Sequence, residues 1–310
     1  MNQPAPVYLD CDTGIDDALA LTYLLHSSKV RLVGIGTVSG NTSSQEAAAN
    51  TQSLLRAHGS SVPVAVGCRD PLGGSYRGGA PHVHGTNGIG DVSLPAGDDV
   101  TSEGAPEMLL RLAREHGTDL DIVAIGPLTN LAHALSLDPT LPRRVGTLTI
   151  MGGAVWAPGN ITGSAEANLF NDAEAARQVL AAGFTTVLVP LDVTVAHCFD
   201  DGDAEAFTRA GTSLHVALGA MLHRYIDFYE SVDHVRRAPL HDPLAAAIAV
   251  GDIETVTRET ALAVTLDGPE QGRTVAVADG PTVQVVVGAG QDTADIIRGG
   301  ILAAGPSAGR

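Results

Sequence analysis

The sequence predicts an α/β fold in which a mainly parallel central sheet is flanked by helices, with a small antiparallel appendage near the C-terminus. Two observations support this class. Short apolar strands alternate with helical segments through short connections, and such alternation gives right-handed crossovers and a parallel sheet. The 310 residues are 44% hydrophobic and 17% charged, which is enough to bury a large core. We therefore expect one Rossmann-like domain spanning residues 1–310.

Hydrophobic periodicity predicts the elements in chain order. Apolar runs of strand length, bounded by turn residues, predict strands at residues 7–11, 30–38, 62–66, 121–125, 147–151 and 186–191. Helical periodicity and end signals predict helices at residues 18–25, 42–58, 103–116, 172–183 and 244–250. Alternating stretches at residues 261–265, 273–277 and 282–287 predict the antiparallel appendage, which a terminal helix follows.

The turn between the first strand and the first helix carries four carboxylates, those of Asp10, Asp12, Asp16 and Asp17. Like charges so close in sequence repel each other, and burying an unpaired carboxylate is costly. The cluster therefore predicts a bound hard cation. Oxygen ligands without a nearby thiolate or imidazole pair favour calcium or magnesium over zinc, and an irregular loop favours calcium. Either Asp16 or Asp17 taken alone could instead cap the helix.

Other polar residues fall at predicted strand ends. Asn41 follows the second strand, and because ligands bind beyond the carboxyl ends of parallel strands, we expect it near Asp12. Asn41 could instead be a turn residue or a helix cap. Residues 69–106 are rich in glycine and too long for a simple connection, which is typical of a binding loop, a lid or a disordered segment. His82 and His84 within them favour a lid.

Two later features allow both a structural and a functional interpretation. Tyr225 and Tyr229 are four residues apart on one helical face, a spacing that is more typical of a half-buried core than of a ligand platform. His241, Asp242 and Pro243 open an apolar helix, and aspartate before proline is a good helix cap without any further role.

Composition excludes several classes of partner. The net charge of −17, the pI of about 4.8 and the single lysine, Lys29, argue against nucleic acid and anionic membranes. The three cysteines, Cys11, Cys68 and Cys198, suggest a reducing compartment without disulfides. Residues 1–4 lack a basic segment and a signal core, and no apolar run reaches membrane-spanning length. We expect a soluble, cytoplasmic protein that acts on a small molecule.

Four motifs together resemble the inosine-uridine-preferring nucleoside hydrolases, and the resemblance covers nearly the whole chain. They are the aspartate-rich turn at residues 10–18, Gly-Pro-Leu-Thr-Asn at residues 126–130, Pro158-Gly159-Asn160 with Glu166 and Asn168, and His241-Asp242-Pro243. The resemblance implies calcium-dependent hydrolysis of the N-glycosidic bond of ribonucleosides, releasing free base and ribose. It also implies a homodimer or homotetramer.

The resemblance further implies roles for individual residues. The calcium ligands would be Asp12, Asp17, Asp242 and the backbone carbonyl of Ile125. Asp12 would also activate a metal-bound water, and His241 would assist departure of the base. The substrate-binding residues would be Asp16, Asn41, His84, Asn160, Glu166, Asn168, Tyr225 and Tyr229.

The chain departs from the family pattern at three positions. Cys11 and Thr13 stand where threonine and proline are usual, so the turn lacks the stiffness that a proline gives. Ala167 stands where an aromatic residue is common, on the 5′ side of the ribose. Trp156 is the only tryptophan, so the chain lacks the paired indoles of purine-specific relatives. This favours pyrimidine or mixed base preference.

Two other functions fit parts of the sequence. Asp10 and Asp12 after an apolar strand also suit a haloacid-dehalogenase-type phosphatase that uses magnesium. That family needs a downstream lysine, whereas Lys29 lies too early and Asp242 would have no role. A non-catalytic calcium- or ribose-binding protein is the second alternative, and an assay of base release from nucleosides separates it from an enzyme.

Overall fold

The computed structural model describes residues 3–303. Residues 1–2 and 304–310 lie outside this range, and the prediction made above for residues 1–4 therefore falls in part outside it. The strands are β1 Ala5–Cys11, β2 Val30–Thr37, β3 Val64–Val66, β4 Asp121–Ala124, β5 Thr147–Met151, β6 Thr185–Val189, β7 Cys198–Phe199, β8 Ala238–Pro239, β9 Thr255–Val264, β10 Thr274–Val277 and β11 Thr282–Ala289. The helices are α1 Ile15–His26, α2 Ser44–His58, α3 Pro81–His84, α4 Ala105–His116, α5 Thr129–Leu137, α6 Ala167–Asn171, α7 Ala173–Ala181, α8 Leu191–Thr194, α9 Asp201–Ala210, α10 Ser213–Asp233, α11 His241–Ala249 and α12 Thr293–Leu302.

The predicted fold class is confirmed. Nine strands form one sheet in the order β10-β9-β11-β6-β5-β4-β1-β2-β3, and the pairs from β6 to β3 are parallel. The antiparallel part consists of β9, β10 and β11, and it extends this sheet because β11 pairs with β6 in parallel. A separate two-stranded sheet joins β7 to β8.

Helices cover both faces of the sheet, and β1 shows how its sequence distributes side chains between them. Successive residues of a strand point to opposite faces. Val7 and Leu9 therefore pack in the core that includes α1, α10 and α11, whereas Tyr8 packs in the core that includes α4, α5 and α7. None of the helices within residues 3–303 is long and apolar enough to cross a membrane.

The element boundaries differ from the sequence prediction at a few ends, for local reasons. Helix α2 begins at Ser44 because the Ser43 hydroxyl caps it by accepting the Glu46 amide hydrogen. The strand predicted at residues 186–191 ends at Val189, since Pro190 precedes the short helix α8. The long loop at residues 69–106 contains the one-turn helix α3, which ends at His84.

Candidate active site

A cavity of about 550 Å³ lies at the carboxyl edge of the parallel strands. Its lining includes Ile125 just after β4, Met151 at the end of β5 and Asn41 in the turn after β2. This is the position at which open parallel sheets bind ligands. The loop that contains α3 contributes His82 and His84 to the same cavity, as its composition predicted.

Three buried carboxylates meet in the depth of this site. Asp16, Asp17 and Asp242 each place one oxygen within 4.8 Å of the others. Helix α1 carries the first two in its first turn, and α11 carries Asp242 in its first turn. The capping interpretation of Asp242 is wrong, because Leu240 is the N-cap residue and no side chain caps α11. Burial raises the pKa of all three carboxyls, that of Asp17 to about 7.

Asp12 lies beside this group and is held by its neighbours. Its Oδ2 accepts the Asn41 amide hydrogen at 2.6 Å, and its own amide donates to Asp17 Oδ1 at 3.1 Å. Asp17 Oδ2 accepts from the Gly14 amide and from the Asn41 side chain. Burial, followed by the charge of Asp17, raises the Asp12 pKa well above its ordinary value. Asn41 therefore orients two carboxylates at once.

Two oxygens of this cluster have no hydrogen-bond partner within the described chain. They are Asp12 Oδ1 and Asp16 Oδ1, and both are buried. A buried carboxylate oxygen without a donor is costly, and neighbouring like charges add to that cost. A hard divalent cation removes both penalties and takes oxygen ligands of this kind. The residues present therefore fit a calcium-type ion.

Asp10, which the sequence grouped with the other three aspartates of the turn, lies apart from them. It is still within β1, and its carboxylate accepts hydrogen bonds from Tyr8 Oη at 2.9 Å and from Asn130 Nδ2 at 3.0 Å. Asn130 also donates to the carbonyl of Thr37 and accepts from the amide of Cys68. Burial raises the Asp10 pKa to about 7. Asp10 thus ties strand ends together behind the site.

The opposite wall is formed by α6 and the segment before it. Glu166 caps α6 and accepts hydrogen bonds from the amides of Gly153, Asn168 and Leu169. Asn168 Nδ2 donates to the carbonyl of Ile125 at 3.0 Å. Asn160, which is exposed at the cavity wall, accepts the Ala167 amide hydrogen through its side chain. Burial raises the pKa of Glu166.

Aromatic and imidazole side chains form the remaining wall. Tyr225 Oη donates to Asp16 Oδ2 at 3.2 Å. Tyr229 Oη lies 2.9 Å from His241 Nε2, and Thr194 Oγ1 lies 2.8 Å from His241 Nδ1. Burial lowers the His241 pKa to about 4, so its imidazole is neutral at pH 7. The two tyrosines of α10 thus line the cavity and are not simple core residues.

His84 is fixed to the aspartate-rich turn. Its Nδ1 accepts the Ile15 amide hydrogen at 3.1 Å, which leaves Nε2 for another partner. Burial, followed by the charge of His82, lowers the His84 pKa to about 3. The loop that carries α3 is therefore docked on the first turn of α1.

Sequence reasoning missed several residues that shape the site. Thr194, which orients His241, lies in α8 and carries no motif. Thr51 lies 2.7 Å, hydroxyl to hydroxyl, from Thr13, and Thr13 in turn lies 3.4 Å from Cys11 Sγ. The contact between Thr51 and Thr13 holds the turn at residue 13, the position at which the family has proline. A partner 38 positions along the chain leaves no local signal in the sequence.

Comparisons with known proteins agree with this geometry. The family model "Inosine-uridine preferring nucleoside hydrolase" matches residues 7–295. Uridine nucleosidase 1 of Arabidopsis thaliana is 35% identical over 244 residues, covering 78% of this chain and 73% of its own. The inosine-uridine preferring nucleoside hydrolase of Leishmania major is 33% identical over 270 residues, covering 86% and 85%. A purine-preferring ribonucleoside hydrolase from Gardnerella vaginalis superimposes with a TM-score of 0.93 at 30% identity, covering 97% of this chain and 99% of its own.

Proposed function

Because the chain belongs to the inosine-uridine preferring nucleoside hydrolases, it is an N-glycosyl hydrolase of ribonucleosides, and we propose that it works with calcium in the buried acid cluster. The proposed ligands are Asp12, Asp17, Asp242 and the carbonyl of Ile125. Of these ligands, Asp17 and Asp242 lie with Asp16 in the group of carboxylate oxygens within 4.8 Å of one another. The partnerless oxygens of Asp12 and Asp16 are the observation that carries this proposal.

Asp12 is the proposed general base. When bound, calcium acidifies a water and holds the ribose diol. Asp12 Oδ1 accepts no hydrogen bond within the described chain, so beside a bound ion it would still have a lone pair with which to take a proton from the attacking water. Asn41 holds the other oxygen of Asp12 and so fixes the direction of Oδ1. An Asp12→Asn variant would keep the shape and lose the base.

The ribose is proposed to lie between the acid cluster and α6. Asp16, Asn160, Glu166 and Asn168 all line this part of the cavity. Glu166 and Asn168 are already fixed by hydrogen bonds to the backbone, so they bind a sugar with little further ordering. Ala167, which replaces the usual aromatic residue, also lines the cavity and leaves the 5′ side more open.

His241 is proposed to assist the departing base, with Tyr229 as its partner. The neutral imidazole has one N–H, and Thr194 and Tyr229 occupy its two nitrogens in the free enzyme. A base that enters the cavity would compete with Tyr229 for Nε2. Tyr225 and His84 line the same region and are proposed to contact the base.

We propose pyrimidine or mixed base preference. Trp156 does not belong to the cavity lining; its side chain is exposed, and the Arg258 guanidinium lies over its ring at 5.3 Å. The relatives named for uridine, for inosine and uridine, and for pyrimidine ribonucleosides support this preference, whereas the Gardnerella vaginalis relative is named for purines. The phosphatase alternative is wrong, because the chain belongs to the hydrolase family and Asp10 is hydrogen-bonded behind the site.

Two assays test the proposal together. Release of base from uridine, cytidine, inosine and adenosine is measured before chelation, after chelation and after calcium is returned. Metal analysis is then compared for the wild type and Asp242→Ala, with Asp279→Ala as a control at an exposed position in the connection between β10 and β11. We expect chelation and Asp242→Ala to remove both the metal and the activity. Metal-free protein with full activity contradicts the proposal.

Further expectations remain proposals. We propose that the chain is one domain, that it assembles as a homodimer or homotetramer, and that it works in the cytoplasm. The family resemblance supports the assembly, and light scattering on the purified protein measures it.

A further inference from the structure

The two ring nitrogens of His241 face different surroundings. Nε2 lies 2.9 Å from Tyr229 Oη, and both His241 and Tyr229 line the cavity. Nδ1 lies 2.8 Å from Thr194 Oγ1, and Thr194 is fully buried and does not belong to the cavity lining. The histidine on the base side of the cavity is therefore backed by a hydroxyl that the substrate does not reach.

Burial determines whether Thr194 or Nδ1 of His241 donates the hydrogen bond between them. A threonine hydroxyl has one hydrogen, and burying that hydrogen without an acceptor is costly. Within residues 3–303 the Thr194 hydroxyl has no other hydrogen-bond partner. Thr22 and Thr51, by contrast, donate to the carbonyl four positions earlier in their helices. The Thr194 hydrogen therefore points to Nδ1, which accepts it.

This direction fixes the form of the imidazole. A neutral imidazole carries one hydrogen, and the nitrogen that accepts a hydrogen bond is the one without it. Because Nδ1 accepts from Thr194, the ring hydrogen of His241 lies on Nε2, on the cavity side. The hydroxyl also has lone pairs, so it can rotate and accept from Nδ1 in a ring that carries a second hydrogen. The orientation of the ring is therefore held in both forms.

The backbone holds Thr194 and His241 at this distance. The amide of Leu240 donates to the carbonyl of His197 at 2.8 Å, and the pairing of β7 with β8 lies directly beside this bond. Helix α8 is fixed as well, because the Asp192 carboxylate accepts hydrogen bonds from three successive backbone amides of the loop after β5. A side chain that orients another one requires such rigid support.

A hydrogen on Nε2 is the useful one for cleavage of the glycosidic bond. A departing base gains negative charge, and a hydrogen-bond donor aimed at it stabilises that charge. The other tautomer would turn a lone pair towards the base. The aspartate of a serine-protease triad holds its histidine in the same manner, from the nitrogen that faces away from the substrate.

We propose that Thr194 is a positioning residue, which holds the His241 ring so that Nε2 and its hydrogen face the departing base. This inference rests on the proposed function, because it takes His241 as the residue that assists departure. Thr194 acts through His241 and lies outside the cavity lining. Loss of its hydroxyl should therefore slow bond cleavage more than it weakens substrate binding.

The kinetic test measures kcat and KM of the calcium-loaded enzyme on uridine and on a nitrophenyl riboside, whose leaving group departs as a stable anion and needs no donor. Thr194→Val removes the hydroxyl and nearly keeps the shape of the side chain. We expect it to lower kcat about tenfold on uridine and less than about threefold on the nitrophenyl riboside, with KM changed less than about twofold. Thr194→Ser keeps the hydroxyl and should retain most of the activity.

Nitrogen NMR of protein with isotope-labelled histidine tests the tautomer without turnover. We expect Nδ1 of His241 to give the signal of a nitrogen without hydrogen and Nε2 that of a nitrogen with hydrogen, and Thr194→Val to bring the two signals closer together. His241→Ala identifies these signals. Thr212→Val is the matched control, since the Thr212 hydroxyl lies 2.7 Å from Nδ1 of His215, whose ring is outside the cavity lining. It should leave the rates on both substrates unchanged.

Three results overturn the inference alone. They are an unchanged kcat on uridine in Thr194→Val, an equal loss on both substrates in this variant, and a wild-type His241 whose ring hydrogen lies on Nδ1. A wild type that releases no base from ribonucleosides refutes the proposed function, and the inference falls with it. Thermal unfolding of each variant shows that the comparison is made on folded protein.

Discussion

Replacing His241 by alanine tests whether this residue supplies a proton to the departing base. His241 is buried, and its two ring nitrogens contact Thr194 and Tyr229 at 2.8 Å and 2.9 Å. Burial lowers its pKa to about 4, so the ring is neutral at pH 7 in the free enzyme and can donate only a hydrogen bond; the acid role therefore requires that the ring be protonated in the complex, where the charge of Asp16 favours the imidazolium. A proton donor at the leaving group contributes about 10²–10⁴ in rate. We expect a loss of that size on uridine and inosine.

A nitrophenyl riboside separates this role from a structural one. Its leaving group departs as a stable anion and needs no proton, so His241→Ala should cost far less on this substrate. Because His241 adjoins the proposed ligand Asp242, a merely positioning role would slow both substrates alike. Equal losses on uridine and nitrophenyl riboside therefore refute the acid role and leave the calcium proposal standing.

The matched control is His215→Ala. His215 is also buried, its ring nitrogens contact Thr212 Oγ1 at 2.7 Å and the Ile301 carbonyl at 2.8 Å, and it is not part of the cavity lining. Both variants leave hydrogen-bonding groups without partners and should lower thermal stability. Only His241→Ala should change the ratio of rates on the two substrates.

Three further predictions concern the metal, the sugar and the turn. Calcium should raise the melting temperature, measured by calorimetry, more at pH 7.5 than at pH 5. Burial raises the Asp17 pKa to about 7, so the metal-free fold loses stability as the pH rises from about 4 towards 7, and below about pH 7 the proton on Asp17 competes with the ion. An equal shift at both pH values contradicts this. 2′-Deoxyuridine should react orders of magnitude more slowly than uridine, because the missing hydroxyl leaves buried polar groups without a partner; equal rates in a base-release assay refute the ribose assignment. Thr51→Val should cost about 1–2 kcal/mol in unfolding free energy and weaken calcium binding, since the Thr13 hydroxyl loses its partner at 2.7 Å; unchanged calcium affinity by titration calorimetry would show that the turn is held in another way.

Local pattern was sufficient for most of the fold. The strand predicted at residues 147–151 matches β5, and the helix opened by His241 matches α11, because hydrophobic period and end signals act within a few residues. The alternation of these elements also placed Asn41 and the aspartate-rich turn at one edge of the sheet, where the cavity lies.

Tertiary structure decided what local pattern leaves open. Asp10 and Asp12 are two residues apart, yet Asn130 of α5 binds Asp10 on one sheet face while Asn41 binds Asp12 beyond the end of the strand. The partners of His241 and Thr13, which are Thr194 and Thr51, come from distant helices. Such contacts depend on how elements pack across long sequence separations, so no local periodicity encodes them.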